Sequence, residues 1–399
     1  MYELLARTLL GAIMALSLAL PATAYETKAR AAYVFDQTTG TVLLAKNADT
    51  PLPPASMSKL MTLYVTFEAL RSGRLSMDES LPVSKHAMSY TGSTLFLRAG
   101  ERVKVSQLLQ GIIVLSGNDA CAVIAEALSP DGTEAGFARY LTERAHQLGM
   151  TNSHFANSNG WPDPEQRMSM RDLGLLANRI ITDFPEYYPY FSEKEFLFDK
   201  NESQNRYNRN PLLGLGIGAD GLKTGHTEEA GYGLVGSAVQ KGRRVIVVIS
   251  GLPTAQSRAQ EGEALLNWAF RQFAQKKVAE KGKVLAQAKV WMGDAPTVGL
   301  VAAEDVNTLV PVSITGKVKG EIIYDSPVKA PIRKGAPLAE LVLKPEGLEE
   351  THIPLVAEKA VSKGGFFVRM QTVATLLLER LNDGPQSAPD AALVGGGSS

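Results

Sequence analysis

The chain holds a single cysteine, Cys121, among its 399 residues. One thiol can form neither an internal disulfide nor a cysteine-based zinc site. Histidine is scarce too. His86, His146, His154, His226 and His352 lie far apart, with no ligand spacing such as H-E-x-x-H, so no metal or other cofactor is expected. Charge of one sign is also missing, because 41 basic residues balance 41 acidic ones. A chain without a basic face lacks the electrostatic footprint of a nucleic-acid binder, and no nucleic-acid partner is expected. Long apolar runs are rare. The one that stands out, "LLGAIMALSLAL" at residues 9–20, is shorter than the ~20 residues a spanning helix needs.

That run has the layout of an export signal. Arg7 supplies the positive end, residues 9–20 the apolar stretch, and Ala22-Thr23-Ala24 a small-x-small cleavage site. Cleavage after Ala24 would start the mature protein at Tyr25; the alternative is a retained N-terminal anchor. A lone cysteine is compatible with an oxidising compartment outside the cytoplasm.

The remaining length and its 45% hydrophobic content suffice for two domains with real cores. "AAYVFDQTTGTVLLAKN" reads as a β-hairpin around Thr38-Thr39-Gly40. Helical periodicity follows at 56–71, 105–115, 119–128, 133–148 and 170–182. Strand patterns return at 231–239 and 243–252, before a long helix at 255–275. One hairpin, many helices and late strands predict an α+β domain over 25–275, with an antiparallel sheet whose first and last segments meet. From about Lys276 the composition shifts, and short alternating runs separated by Gly, Pro and Asp predict a small all-β domain over 276–363. Residues 364–383 read as an amphipathic helix, with Phe366, Met370, Val373, Leu377 and Leu381 on one side. It is too short to span a bilayer and would either lie in a membrane interface or dock on its own protein. The tail at 384–399 is small and polar, with a composition typical of disorder.

Chemistry concentrates in "PPASMSKLMT". Positions three apart share a helix face, so Ser56 and Lys59 can touch. Pro53 and Pro54 place Ser56 at the helix start, where free N–H groups favour developing negative charge. Met57, Leu60, Met61, Leu63, Tyr64 and Phe67 make the helix apolar almost all round, so Lys59 loses hydration and its pKa falls. A neutral amine beside a hydroxyl can take its proton and make serine a nucleophile. The alternative is a surface-seeking lysine beside a capping serine, and S-x-x-K alone does not decide. Ser326-Pro-Val-Lys329 has the same pattern in a strand-like stretch where no helix would join the pair.

Two further stretches sharpen the reading. "VLSGNDAC" puts Ser116-Gly117-Asn118 at a junction of two apolar helical runs, which can point a hydroxyl and an amide into one cleft; Ser116 and Asp119 could equally be helix caps. "ADGLKTGHT" puts Lys223-Thr224-Gly225 on a short segment before the strand at 231, where Lys223 could also be a solvated edge charge. A second S-x-N, at 203–205, shows that the middle element is weak alone, whereas Lys-Thr-Gly occurs once. S-x-x-K, S-x-N and K-T-G in this order form a known signature of penicillin-binding proteins and class A β-lactamases.

With "GSTLFLRAGERV", "SGNDAC", "NRN", "DGLKTGHT" and a trailing β domain, the chain resembles the low-molecular-mass penicillin-binding proteins. Among these it is similar to the serine-type D-alanyl-D-alanine carboxypeptidases of the type-5/6 group, peptidase family S11. The resemblance covers nearly all of the chain from the signal to Leu381. It implies a periplasmic enzyme whose Ser56 attacks the carbonyl between the terminal D-alanines of a peptidoglycan stem peptide, with Lys59 as base. Ser116 would relay a proton to the leaving amine and Asn118 would hold the substrate amide. Backbone N–H groups of Ser56 and His226 would form the oxyanion hole. Lys223, Thr224, Gly225, Thr227 and Arg209 would receive the peptide and its carboxylate, with Arg258 as a further candidate. His154 and Asp172 are expected to be structural. β-Lactams would acylate Ser56. The middle motif is S-G-N, not S-D-N, and Glu165 in "PDPEQ" lacks the setting of a class A deacylation base, which favours carboxypeptidase over β-lactamase. An endopeptidase with the same machinery and a non-catalytic wall scaffold are the other readings. The helix at 366–381 stands where this group often carries a membrane anchor, though its charges nearly balance.

Overall fold

The computed structural model describes residues 25–198, 204–312, 319–344, 348 and 350–365. The expected signal segment, residues 366–383 of the expected C-terminal helix, the tail and Ser203 lie outside these residues.

The hairpin forms from β1 (Ala31–Asp36) and β2 (Thr41–Lys46), antiparallel across the turn at 37–40. β3 (Ser80–Pro82) and β4 (Arg102–Lys104) make a small separate ladder. The main sheet is completed by β5 (Ala219–Thr227), β6 (Gly231–Gln240) and β7 (Arg243–Leu252), in the order β2-β1-β7-β6-β5. β1 thus pairs with β7, joining the two ends of the domain as the pattern predicts. β5 differs from expectation. The Lys-Thr-Gly stretch is no short segment but a nine-residue strand at the open edge of the sheet. Its glycines and polar residues hide the apolar alternation by which strands are recognised.

Among the described residues, seven α-helices accompany this sheet. They are α1 (Lys59–Arg71), α2 (Lys85–Ser89), α3 (Val105–Gln110), α4 (Asn118–Leu128), α5 (Glu134–Gln147), α6 (Met170–Asp183) and α7 (Ala255–Gln272). α1 has Leu60, Met61, Leu63, Val65 and Phe67 all at 0% exposure, so it runs through the core rather than over it. One apolar core joins α1, α3, α4, α5 and α6 to one face of the sheet through Val235, Ile246 and Val248. A second, with Leu234, Val247, Ile249, Leu265 and Leu266, seats α7 on the other face. Good caps fix the helix starts. Thr133, Ser169 and Thr254 accept backbone N–H bonds at the first turns of α5, α6 and α7.

Two boundaries depart from the sequence reading. The run at 105–115 is α-helical only to Gln110, and residues 111–115 are wound as one π turn ending at Ser116. α7 stops at Gln272 instead of 275, because β8 (Phe273–Ala279) begins there and pairs with β11 (Val306–Pro311). Phe273 is buried against Trp268, their rings 5.1 Å apart. Beyond lie β9 (Val284–Trp291), β10 (Thr297–Ala302), β12 (Lys319–Ile323), β13 (Val328–Lys329), β14 (Pro337–Lys344) and β15 (Thr351–Ala357), around a separate core that includes Ala288, Leu300, Leu341 and Leu355. This is the small all-β unit that the alternating runs imply. Ser326 and Lys329 belong to it, at the β13 stretch, far in sequence from the helical core.

Candidate active site

Ser56 sits in a 3-10 turn, Ala55–Ser58, that leads into α1. Ala55 holds a left-handed φ of 48°, rare for a residue with a Cβ. The turn leaves Ser56 partly exposed while Lys59, one turn on, is wholly buried. Substrate can therefore reach the hydroxyl but not the amine from bulk solvent.

Lys59 Nζ has three partners: Ser56 Oγ at 2.8 Å, Asn118 Oδ1 at 2.7 Å and the Asn159 carbonyl at 2.6 Å. Two of these can only accept. In a neutral amine the two N–H bonds are therefore taken by Asn118 and Asn159, and the lone pair is left facing the Ser56 hydroxyl. Burial pushes the Lys59 amine down from its ordinary value to about 8, helped by the nearby Arg209 charge and opposed by Cys121, Asp119 and Glu134.

The second motif reaches the same place from the other side. Ser116 closes the π turn with φ 64°, and its side chain is buried. Gly117 lets the chain pass Leu95, since a Cβ there would lie 2.2 Å from Leu95 Cδ1. Asn118 then opens α4, with its amide fixed at both ends: Oδ1 accepts from Lys59, and Nδ2 donates to the Thr91 carbonyl at 2.9 Å. Asp119 lies in the first turn of α4 and is not its cap, which is Gly117. Its carboxylate accepts from the N–H groups of Leu95 (2.9 Å), Leu97 (3.1 Å) and Ala120 (2.8 Å), holding the 93–97 loop beside the motif.

β5 delivers the third motif. Lys223 Nζ donates to Ser116 Oγ at 2.9 Å and to the Thr224 carbonyl at 3.2 Å. Burial, then the Lys59 and Arg209 charges, hold the Lys223 amine well below its ordinary value. Gly225 lies against the turn at 55–58. A Cβ there would sit 2.9 Å from the Pro54 carbonyl oxygen and 3.2 Å from Ala55 Cβ. The strand edge, the turn at 55–58 and the Ser116 junction are therefore in mutual contact.

The other expected residues are spread around this centre. Arg209 is exposed and donates to Ser93 Oγ, on the loop whose Ser93 carbonyl accepts from Asn118 N–H at 2.7 Å. Thr224 is buried in β5. Thr227 is at the β5 end, and its hydroxyl accepts the Ala230 N–H at 3.1 Å. His226 is exposed and stacks on Tyr232 at 3.8 Å, with the Arg258 guanidinium 5.6 Å over the same ring. Arg258 Nε is buried with no hydrogen-bond partner among the described residues. His154 and Asp172 have structural partners: His154 bonds the Glu165 carbonyl, and Asp172 accepts from Ser153 and Asn152. Glu165 is exposed and lines a surface cavity with His146 and His154.

Sequence reasoning missed Asn159. A backbone carbonyl carries no residue code; the one local signal is Gly160, whose φ of 81° and missing Cβ allow the loop to press on the Ala55 carbonyl.

A serine bonded to a buried lysine, a second Ser–Lys contact and an open strand edge are the arrangement of a serine acyl-transfer enzyme of the penicillin-binding type. The family profile described as D-alanyl-D-alanine carboxypeptidase (Peptidase_S11) matches residues 19–254, and that of the penicillin-binding protein 5 C-terminal domain matches residues 273–363. The chain belongs to the S11 family of D-alanyl-D-alanine carboxypeptidases. It is 36% identical to D-alanyl-D-alanine carboxypeptidase DacC of Escherichia coli, over 86% of each chain. Penicillin-binding protein 5 of Haemophilus influenzae has the same fold, with TM-score 0.76 and 34% identity over 86% of this chain and 99% of that one. Penicillin-binding protein D2 of Listeria monocytogenes, solved in an ampicillin-bound form, is 32% identical over 61% of this chain and 98% of its own, with TM-score 0.52.

Proposed function

We propose that Ser56 is the nucleophile with which this carboxypeptidase removes the terminal D-alanine from peptidoglycan stem peptides. Neutral Lys59 takes the Ser56 proton as Oγ attacks the carbonyl carbon of the penultimate D-alanine. The backbone N–H groups of Ser56 and His226 receive the oxyanion. When the C–N bond breaks, the leaving amine needs a proton, and the Ser116 hydroxyl backed by Lys223 supplies it. Water then attacks the acyl-enzyme, the ester C–O bond breaks, and Ser56 regains its proton.

The substrate is held along β5, whose open edge and bare Gly225 allow an extended peptide to pair with the backbone. Asn118 and Thr224 contact its amide groups. Arg209, with Lys223, Thr227, His226 and Arg258 around the end of β5, makes a cationic and hydroxylic surface for the terminal carboxylate. The buried Arg258 Nε without a partner supports that assignment. β-Lactams enter as acylating analogues of the same peptide. Glu165 points to no deacylation role, which supports slow release of the penicilloyl group.

The single observation that carries this reading is the Lys59–Ser56 contact of 2.8 Å at a fully buried lysine. Intact-protein mass spectrometry after benzylpenicillin, with peptide mapping, tests it. One adduct on Ser56, with free D-alanine released from a pentapeptide ending in D-Ala-D-Ala, is the expected result. An adduct elsewhere, or rapid penicillin turnover, would refute it.

Domain limits and location belong to the same proposal. Export with cleavage after Ala24 would leave a catalytic domain to about residue 275, the β unit to 363, and the segment holding Phe366 and Leu381 against the outer face of the inner membrane. No helix among the described residues is long and apolar enough to cross a membrane. Fractionation of cells making a chain truncated at Gly365 tests the anchor: release of a previously sedimenting protein supports it, and unchanged distribution refutes it.

A further inference from the structure

Glu134, the first residue of α5, carries a nearly buried carboxylate that the three signature motifs leave unexplained. Its two oxygens collect four donors. Oε1 accepts the N–H of Ser158 at 3.0 Å and the Ser158 hydroxyl; Oε2 accepts from His86 Nε2 at 2.6 Å and the Tyr90 hydroxyl at 2.7 Å. Ser158 and Asn159 are themselves buried, and both turn their carbonyls onto α1. The Ser158 carbonyl accepts from Thr62 Oγ1 at 2.6 Å, and the next carbonyl, of Asn159, accepts from Lys59 Nζ at 2.6 Å. Glu134 thus holds Ser158 by its N–H and hydroxyl, while the helix that bears Lys59 holds the carbonyls of Ser158 and Asn159. The same segment touches the nucleophile turn, because Gly160 is packed against the Ala55 carbonyl. On its outer side Tyr90 meets both Trp161, at 5.7 Å between ring centroids, and His86, at 5.5 Å.

A neutral side chain cannot reproduce this pattern. Only a carboxylate offers acceptors at both ends without adding a donor, and a buried N–H or O–H left unpaired drives the segment to rearrange. Movement of the Asn159 carbonyl would remove one of the two acceptors that turn the Lys59 lone pair toward Ser56.

We infer that Glu134 is a positioning residue for acylation: it clamps the Ser158–Asn159 peptide and so aims the Lys59 amine at Ser56. This rests on Ser56 and Lys59 being nucleophile and base. The contacts of the substrate carboxylate with β5 and Arg209 do not pass through Glu134, so its loss should act on the chemical step and not on binding.

Glu134→Gln and Glu134→Ala, made in the full chain, test the inference by steady-state hydrolysis of a D-Ala-D-Ala peptide and by the rate of labelling with a fluorescent penicillin. Melting curves identify the folded variants. The expected result is a fall in kcat and in saturating acylation rate of about 10- to 100-fold, as for a misplaced catalytic group, with KM within about threefold. Alanine should be the worse of the two, and if it does not fold, glutamine decides. A folded variant with acylation within twofold of the parent, or with raised KM and unchanged kcat, overturns the inference. Ser56→Ala runs beside them: labelling that persists there would refute the nucleophile assignment, independently of what Glu134 does.

Discussion

Lys223 Nζ lies 2.9 Å from Ser116 Oγ, although 107 residues separate them along the chain. The contact joins the open edge of the sheet to the helical half of the domain, beside the Lys59–Asn118 bond that ties α1 to α4 within that half. Two lysines buried so close together repel, and the Lys59 charge contributes to the lowered pKa of Lys223.

Ser116→Ala should separate formation of the acyl-enzyme from departure of the leaving group. Penicillin has no amine that must diffuse away, whereas the peptide releases D-alanine. The prediction is a fall in peptide hydrolysis of about 100-fold, within the range of a lost proton transfer, with a smaller loss in penicillin labelling. Parallel rate measurements on the two substrates check it, and equal losses would count against a relay at Ser116.

Lys59→Arg should be as inactive as Lys59→Met. Arginine keeps the charge but is always protonated and has no lone pair to receive a proton. Both variants are expected to lose about 10³-fold or more of the acylation rate, measured with fluorescent penicillin on folded protein. An active arginine variant would show that charge, not basicity, is what position 59 supplies.

Gly225→Ala and Gly160→Ala each press on the turn that carries Ser56. At Gly225 the added methyl meets the Pro54 carbonyl oxygen at 2.9 Å and Met57 Cγ at 3.1 Å. A small shift of the β5 edge relieves this, so acylation should drop about 10-fold or more with little change in melting temperature. At Gly160 the methyl would lie 2.0 Å from the Ala55 carbonyl oxygen, on a backbone with φ 81°. Here stability should fall by about 1–3 kcal/mol as well. Thermal melts and labelling rates on the same preparations distinguish the two patterns.

Arg209→Ala and Arg258→Ala should raise KM for the D-Ala-D-Ala peptide by about 10-fold each, since each would remove a charge-assisted bond to the carboxylate. An amidated peptide, which lacks that charge, should be insensitive to both. A fall in kcat at constant KM would instead assign these arginines to scaffolding.

The sequence displayed the centre of this site better than its surroundings. S-x-x-K in an apolar helix carries its own physical meaning, and the structure joins Ser56 and Lys59 by the contact that helical spacing allows. Ser116 and Lys223 become a pair only after folding; their residue types hint at it, but no periodicity does. β5 was hidden by its glycines, and β8 by four exposed residues in a seven-residue strand. The π turn before Ser116 has no composition that differs from an apolar helix. Asn159 acts through its backbone, and Glu134 through a peptide it holds, so neither belongs to a motif. Such supporting groups are legible only from coordinates.

The account depends above all on Lys59 being uncharged when Ser56 reacts. Dehydration disfavours the ammonium form, so its pKa should lie near 8, and acylation should rise with pH through that value and level off above it. Heteronuclear NMR of protein carrying ¹³C-labelled lysine reads the titration directly, with Lys59→Met assigning the signal. A Lys59 resonance titrating near 8, well below the ordinary lysines, is the predicted result; one that titrates with them, at or above about 10, would contradict the mechanism.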